Sequence, residues 1–121
     1  MKKSAENTNW LPHQWITLTD RSQIREVFRK GTRKGSKALN ICFKKNSLSF
    51  TRYLFCSDKT SKNAVNRNRI KRVLRALVRD RDIEHPVGFD IAITGGLELN
   101  SLQFSERKKV LMNLFQNVCV K

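Results

Sequence analysis

The stretch Asn63–Arg81 limits the possible folds of this 121-residue chain more than any other part of it. Ile70, Val73, Leu74, Leu77 and Val78 recur at i, i+3, i+4, i+7 and i+8, which is one face of an α-helix. A stripe of that length must be buried against a second layer. On the same helical wheel Asn68, Arg72, Arg75 and Arg79 gather on the opposite side, flanked by Arg69 and Lys71. One helix is therefore half core and half cationic surface.

The cationic half is unusual in having nothing to pair with. From Lys59 to Arg79 the sequence holds eight Lys or Arg residues and no acid. An ordinary solvated helix face mixes charges, and its i,i+4 ion pairs add a little stability. Arginines without acids repel one another until a polyanion arrives. Phosphate is the matching ligand, because a guanidinium fork makes two parallel hydrogen bonds to it. The whole chain points the same way: 25 Lys+Arg against 10 Asp+Glu leave a formal charge of +15. That excess destabilises a small fold on its own and makes sense beside nucleic acid, or less readily beside a membrane surface. No apolar run approaches the roughly 20 residues of a bilayer span, so no membrane partner is expected, and Met1–Asn9 lacks the apolar segment of a signal peptide.

Around this helix the pattern is that of one small α+β domain. Thr19–Lys30 carries Ile24, Val27 and Phe28 at helical spacing and stops at Gly31. Leu39, Ile41 and Phe43 alternate as a strand, Lys44–Ser47 reads as a turn, and Leu48–Cys56 is a second β-rich run. These two strands are expected to pair antiparallel. Pro86 ends the basic helix region. Phe89, Ile91 and Ile93 form a further strand closed by Gly95 and Gly96. Ser105 is the expected cap of a last helix with Val110, Leu111, Leu114, Phe115 and Val118 as its apolar stripe. The architecture that follows is helices layered on one small sheet, a two-layer sandwich. Residues 1–17 are expected to form a loosely held tail whose Trp10 and Trp15 pack back on the domain 18–121. Cys42, Cys56 and Cys119 fit neither a disulfide framework nor a zinc site and read as small buried hydrophobes in a reducing cytoplasm.

The order of residues inside the basic segment is more specific than its charge. Asn63-Ala64-Val65-Asn66-Arg67-Asn68-Arg69-Ile70-Lys71-Arg72 resembles the signature of the bacterial ribonuclease P protein family, an Arg-Asn-Arg motif followed by a hydrophobic residue and Lys-Arg. The resemblance extends to Ile24–Gly31, to Phe89–Ile93 and to Phe104–Phe115, and leaves only residues 1–15 without a counterpart. The chain differs from the family pattern in having Asp58 and Lys62 ahead of the motif and Gly95-Gly96 after the last strand.

The resemblance implies an α-β-β-β-α-β-α fold with a left-handed β-α-β crossover, against the usual hand of such connections. It also implies a protein that partners the ribonuclease P RNA subunit and precursor tRNA, the RNA being the catalyst and Mg2+ serving the holoenzyme. No cofactor of the protein and no obligate protein partner are expected. On the matching positions, Lys59, Lys62, Asn63, Arg67, Asn68, Arg69, Lys71, Arg72 and Arg75 would bind RNA. Arg25, Phe28, Arg29 and Phe43 are the candidates for a groove that holds the single-stranded 5′ leader, since aromatics stack on bases and arginines follow the backbone.

Nothing in the sequence reads as a protein catalyst. Metal-assisted phosphodiester cleavage wants clustered carboxylates, whereas Asp20, Asp58, Asp80, Asp82 and Asp90 are scattered. Asp80 and Asp82 are expected to soften the charge of the basic helix. His13 and His85 have no nucleophile arranged beside them. A non-catalytic RNA-binding protein, such as a ribosomal protein, is the alternative. A DNA-binding module would need a supporting helix before Asn63, which is lacking.

Overall fold

The computed structural model describes residues 15–120, with side chains described as far as Val118. The expectations for Trp10, for His13 and for the Cys119 side chain lie outside the described residues.

The chain runs β1 (Ile16–Thr17), α1 (Arg21–Lys30), β2 (Thr32–Gly35), β3 (Leu39–Lys45), β4 (Arg52–Ser57), α2 (Ala64–Val78), β5 (Phe89–Gly95), α3 (Leu97–Asn100) and α4 (Phe104–Val120). The α-β-β-β-α-β-α order is present, with a two-residue strand added in front and a single helical turn before α4. Local chemistry sets most of the ends. Asp20 caps α1 by accepting from the amides of Ser22 (2.9 Å) and Gln23 (3.1 Å), and Arg29 and Lys30 sit favourably in its last turn. Asn63 caps α2 by accepting from the Asn66 amide at 2.9 Å. That helix stops at Val78, short of Arg81, because the chain turns through Asp80 to bury Ile83 completely. Ser105 does not cap α4, which begins one residue earlier. Instead Glu106 Oε1 reaches back to accept from the Gln103 amide at 2.9 Å, one half of a capping box.

The five strands lie in the order β1-β4-β5-β3-β2. This corrects the expected antiparallel pairing of β3 with β4. The last strand, β5, inserts between them, antiparallel to β3 and parallel to β4. The reason is burial on two sides. Ile91 and Ile93 face one layer, Ala92 and Asp90 the other, and all four are buried, which suits a central strand better than an edge. The parallel pair β4–β5 requires the crossover that α2 supplies.

Strand alternation divides the core in two. Leu39, Ile41, Phe43, Tyr53, Phe55, Ile91 and Ile93 meet Ile70, Leu74 and Leu77 of α2 and Leu111 and Phe115 of α4 in the main core. On the other face Cys42, Leu54 and Ala92 meet Leu18 and α1 residues Ile24, Val27 and Phe28 in a smaller cluster. Among the described residues α1 is the only helix over that face, and part of it is left open.

Trp15 packs edge-on against both Tyr53 and Phe55, with ring centroids 5.4 Å apart in each case. Ile16 and Thr17 add a parallel edge to β4. Trp15, expected to pack back on the domain, is in ring contact with β4.

Candidate nucleic-acid interface

Two surfaces gather the residues singled out from the sequence. The first is the start of α2 with the loop before it. Ile70, Leu74 and Leu77 are wholly buried, so the helix cannot rotate and its other side is fixed toward solvent. Asn68, Arg69 and Arg72 are exposed there, and Lys71 is half-buried. Lys59, Lys62 and Arg67 line one wide, shallow depression ahead of the helix. Arg67 is braced within it, its Nη1 donating to the carbonyls of Lys62 (3.0 Å) and Ser61 (3.5 Å). Arg75 belongs to a different neighbourhood. Its guanidinium lies 5.4 Å from the Phe55 ring centre, and that of Arg79 lies 5.8 Å from Trp15. These cation–π contacts tie down the far end of the helix and leave its N-terminal half the freer cationic surface.

The second surface is the open part of the sheet beside α1. A cavity of about 330 Å³ is lined by Phe28, Arg33, Asn40, Cys42 and Thr94, among others. Phe28 is half-buried. Arg33 donates from Nη2 to the Phe28 carbonyl at 2.9 Å and lies 5.9 Å from its ring centre, so cation and aromatic are presented together. Arg25 and Arg29 stay exposed on α1 without lining this cavity.

Phe43 is not in this groove. It is 3% exposed on the opposite face of the sheet, packed edge-on against Phe89 at 5.9 Å in the main core. The physical reason is the two-residue period of a strand. Phe43 shares its face with Leu39 and Ile41, and Asn40 and Cys42 take the groove side. That alternation was available in the sequence and would have identified Asn40. Arg33 and Thr94, also missed, have no such signal, since a short polar strand and a single threonine look like many others.

The two surfaces are joined by a row of side chains. Thr94 is the register partner of both Asn40 and Cys56, so these three cross β3, β5 and β4 from the cavity toward α2. Burial pushes the Cys56 thiol up, and this outweighs both a hydrogen bond from Thr94 and the nearby charge of Lys71. Cys42 is pushed up by burial as well, and its Sγ donates to the Val27 carbonyl at 3.2 Å. Neither thiol is set up as a thiolate nucleophile.

The five aspartates are engaged elsewhere. Asp20 caps α1, and Arg52 grips Asp90 with Nε on Oδ1 at 2.8 Å. Lys108 takes Asp80 at 3.2 Å and also Asp82. Those two acids therefore fasten α4, rather than softening the charge of α2. Asp58 accepts from Thr60. Among the described residues no three His, Cys, Asp or Glu side chains converge as metal ligands. None of the described helices is long and apolar enough to cross a membrane.

Known proteins resemble this chain in sequence and in fold. The profile of the family described as Ribonuclease P matches residues 13–119. The ribonuclease P protein component of Natranaerobius thermophilus is 30% identical over 101 residues, covering 84% of this chain and 88% of that protein. That of Syntrophomonas wolfei is 34% identical over 87 residues, covering 72% and 73%. Among solved structures, the ribonuclease P protein of Thermotoga maritima superposes with a TM-score of 0.71 at 24% identity, covering 84% of this chain and 96% of that one. The Staphylococcus aureus protein gives 0.67 at 17% identity, covering 85% and 94%. Motif, fold and relatives converge: this chain belongs to the ribonuclease P protein family, the protein component of the enzyme that cleaves tRNA precursors.

Proposed function

We propose that this chain binds the ribonuclease P RNA subunit through Lys59, Lys62, Asn63 and the outer face of α2, and holds the 5′ leader of precursor tRNA in the groove beside α1. The single observation that carries the reading is the acid-free face of a helix whose other face is completely buried. A fixed helix presents Asn68, Arg69 and Arg72 in a set geometry, as phosphate contacts that position a partner require. Arg67 adds to the same surface from its braced place, and Lys71 from the side nearest Cys56. The groove offers what an unpaired strand needs: Phe28 for stacking, with Arg33 beside it, and Arg25 and Arg29 on the approach. Asn40 adds a carboxamide that can both donate and accept.

Catalysis in this reading belongs to the RNA, with the holoenzyme's Mg2+ held there. The protein's five aspartates are each committed to a cap, an ion pair or a turn. The protein contributes binding and orientation, in the cytoplasm, with RNA as its partner.

The test is reconstitution at low magnesium. Purified protein added to a bacterial ribonuclease P RNA should stimulate 5′ cleavage of precursor tRNA. Arg69→Ala and Arg72→Ala should each weaken binding to the RNA subunit and reduce the salt slope by about one. Absence of stimulation, with tight binding to ribosomal RNA or to DNA instead, would overturn the reading.

A further inference from the structure

We infer that Asp58 and Gly96 form a matched pair that sets the loop ahead of the arginine-rich helix in its RNA-binding pose, with Asp58 acting as a positioning residue. The inference rests on the proposed RNA-binding role of α2 and concerns how that surface is held.

The loop 58–62 leaves the end of β4 carrying two exposed lysines, Lys59 and Lys62. A cationic loop of this kind repels itself and would ordinarily be loose. Here it is stitched to the far side of β5. The Asp58 amide donates to the Gly95 carbonyl at 2.9 Å, one step beyond the last register pair, Ser57 with Gly95. The Asp58 carboxylate accepts from both the amide (2.9 Å) and the hydroxyl of Thr60. The Thr60 hydroxyl oxygen in turn accepts from the Leu97 amide at 3.0 Å. The Ser61 amide donates back to the Asp58 carbonyl at 3.2 Å, and Arg67 closes the loop from the helix side through the Ser61 and Lys62 carbonyls.

Gly96 makes room for this clasp. Its backbone is extended, at φ −125°, so conformation alone would admit any residue. Space does not: a Cβ there would run into all three terminal atoms of the Asp58 side chain, Cγ, Oδ1 and Oδ2. Gly95 has the complementary role, because a Cβ on it would press on Leu99 and on Ile70 of α2. The two glycines thus let Asp58 on one side and α2 on the other close onto the end of β5. A loop already held in its bound shape loses less conformational freedom on meeting RNA, which raises affinity without a new contact.

The sign of one substitution separates this role from simple electrostatics. Asp58 is an acid amid Lys59, Lys62 and Arg67. If it acted only as a charge, Asp58→Ala would tighten binding to a polyanion. The clasp requires the opposite: Asp58→Ala should weaken affinity for the ribonuclease P RNA about tenfold, equivalent to about 1.4 kcal/mol. The salt slope should stay unchanged, since no phosphate contact is removed. Asp58→Asn keeps the acceptor oxygen and should restore wild-type affinity. Gly96→Ala should weaken binding on its own yet add nothing in the Asp58→Ala background, the non-additivity of residues that act as one unit.

Affinity would be read by filter binding across a salt series, together with amide hydrogen exchange of Thr60 and Leu97 in the free protein. Exchange should accelerate in Asp58→Ala and stay slow in Asp58→Asn. Exchange unchanged by Asp58→Ala overturns the clasp. Faster exchange with equal or tighter RNA binding overturns its use in RNA recognition. Wild-type protein that leaves the RNA subunit unbound overturns the underlying reading, while the exchange data still report on the clasp.

Discussion

Arg52 meets Asp90 across the β4–β5 pair in a two-point contact, Nε on Oδ1 and Nη2 on Oδ2, each at 2.8 Å. Asn46 Nδ2 adds a third hydrogen bond to Asp90 at 2.9 Å. The Asp90 side chain is 8% exposed and that of Arg52 17%. A carboxylate so buried survives only while it is fully satisfied, and losing its partner leaves an uncompensated charge. Arg52→Ala should therefore cost about 3 kcal/mol of folding stability, read as a fall in the urea midpoint. A change within experimental error would mean that water reaches Asp90 freely.

Phe28 and Phe43, which the family resemblance places in one groove, should behave differently. Phe28→Ala should weaken binding of precursor tRNA about tenfold relative to a leaderless tRNA, with a small loss of stability, because one stacked base contributes about 1–3 kcal/mol. Phe43→Ala should cost about 3–5 kcal/mol of stability as a core truncation. In protein that remains folded it should leave leader discrimination unaltered. Binding to tRNAs with and without a leader, alongside thermal melts, checks both. Equal leader effects from the two would contradict the opposed sheet faces.

The link between α2 and α4 should carry an acid signature. The Asp82 amide, then Lys108, hold the Asp80 carboxyl below its ordinary range, and Asp82 and Asp80 push the Lys108 ammonium up. A depressed carboxyl stabilises the fold above its unfolded pKa, and that stability is lost as pH falls through the folded value. A raised lysine stabilises the fold below its unfolded pKa and ceases to do so as pH rises through the folded value. The pair is therefore intact across the neutral range. Wild type should melt above Asp80→Asn at pH near 7, and the gap should close as pH falls below about 4. A gap of constant size down to pH 2.5 or so would show that Asp80 acts other than by its charge.

What could be read directly from the sequence was local. A helix within Asn63–Arg81 follows from five apolar residues on one face, and its cationic character from eight Lys or Arg between Lys59 and Arg79 without an acid. The helix over Thr19–Lys30, the strand begun by Phe89 and the stripe of α4 come from the same kind of short-range rule, although the cap named from the sequence, Ser105, lies inside α4. The residue order around Arg67-Asn68-Arg69 narrowed a polyanion binder to one family, and the comparisons agree.

What the tertiary structure alone decided was pairing over long separations in the chain. That β5 lies between β3 and β4 depends on burial of both its faces, and no spacing within Leu39–Cys56 encodes it. The partners of Asp80, Asp82 and Asp90 are 26 or more residues away, so they looked scattered when each was already committed. Trp15, which sequence patterning alone assigns to a loosely held tail, meets rings on β4. The basic helix itself was legible, but the clasp that aims its leading loop was not. It needs Asp58 and Gly96 to meet at the end of two parallel strands, a meeting set by the sheet rather than by either segment.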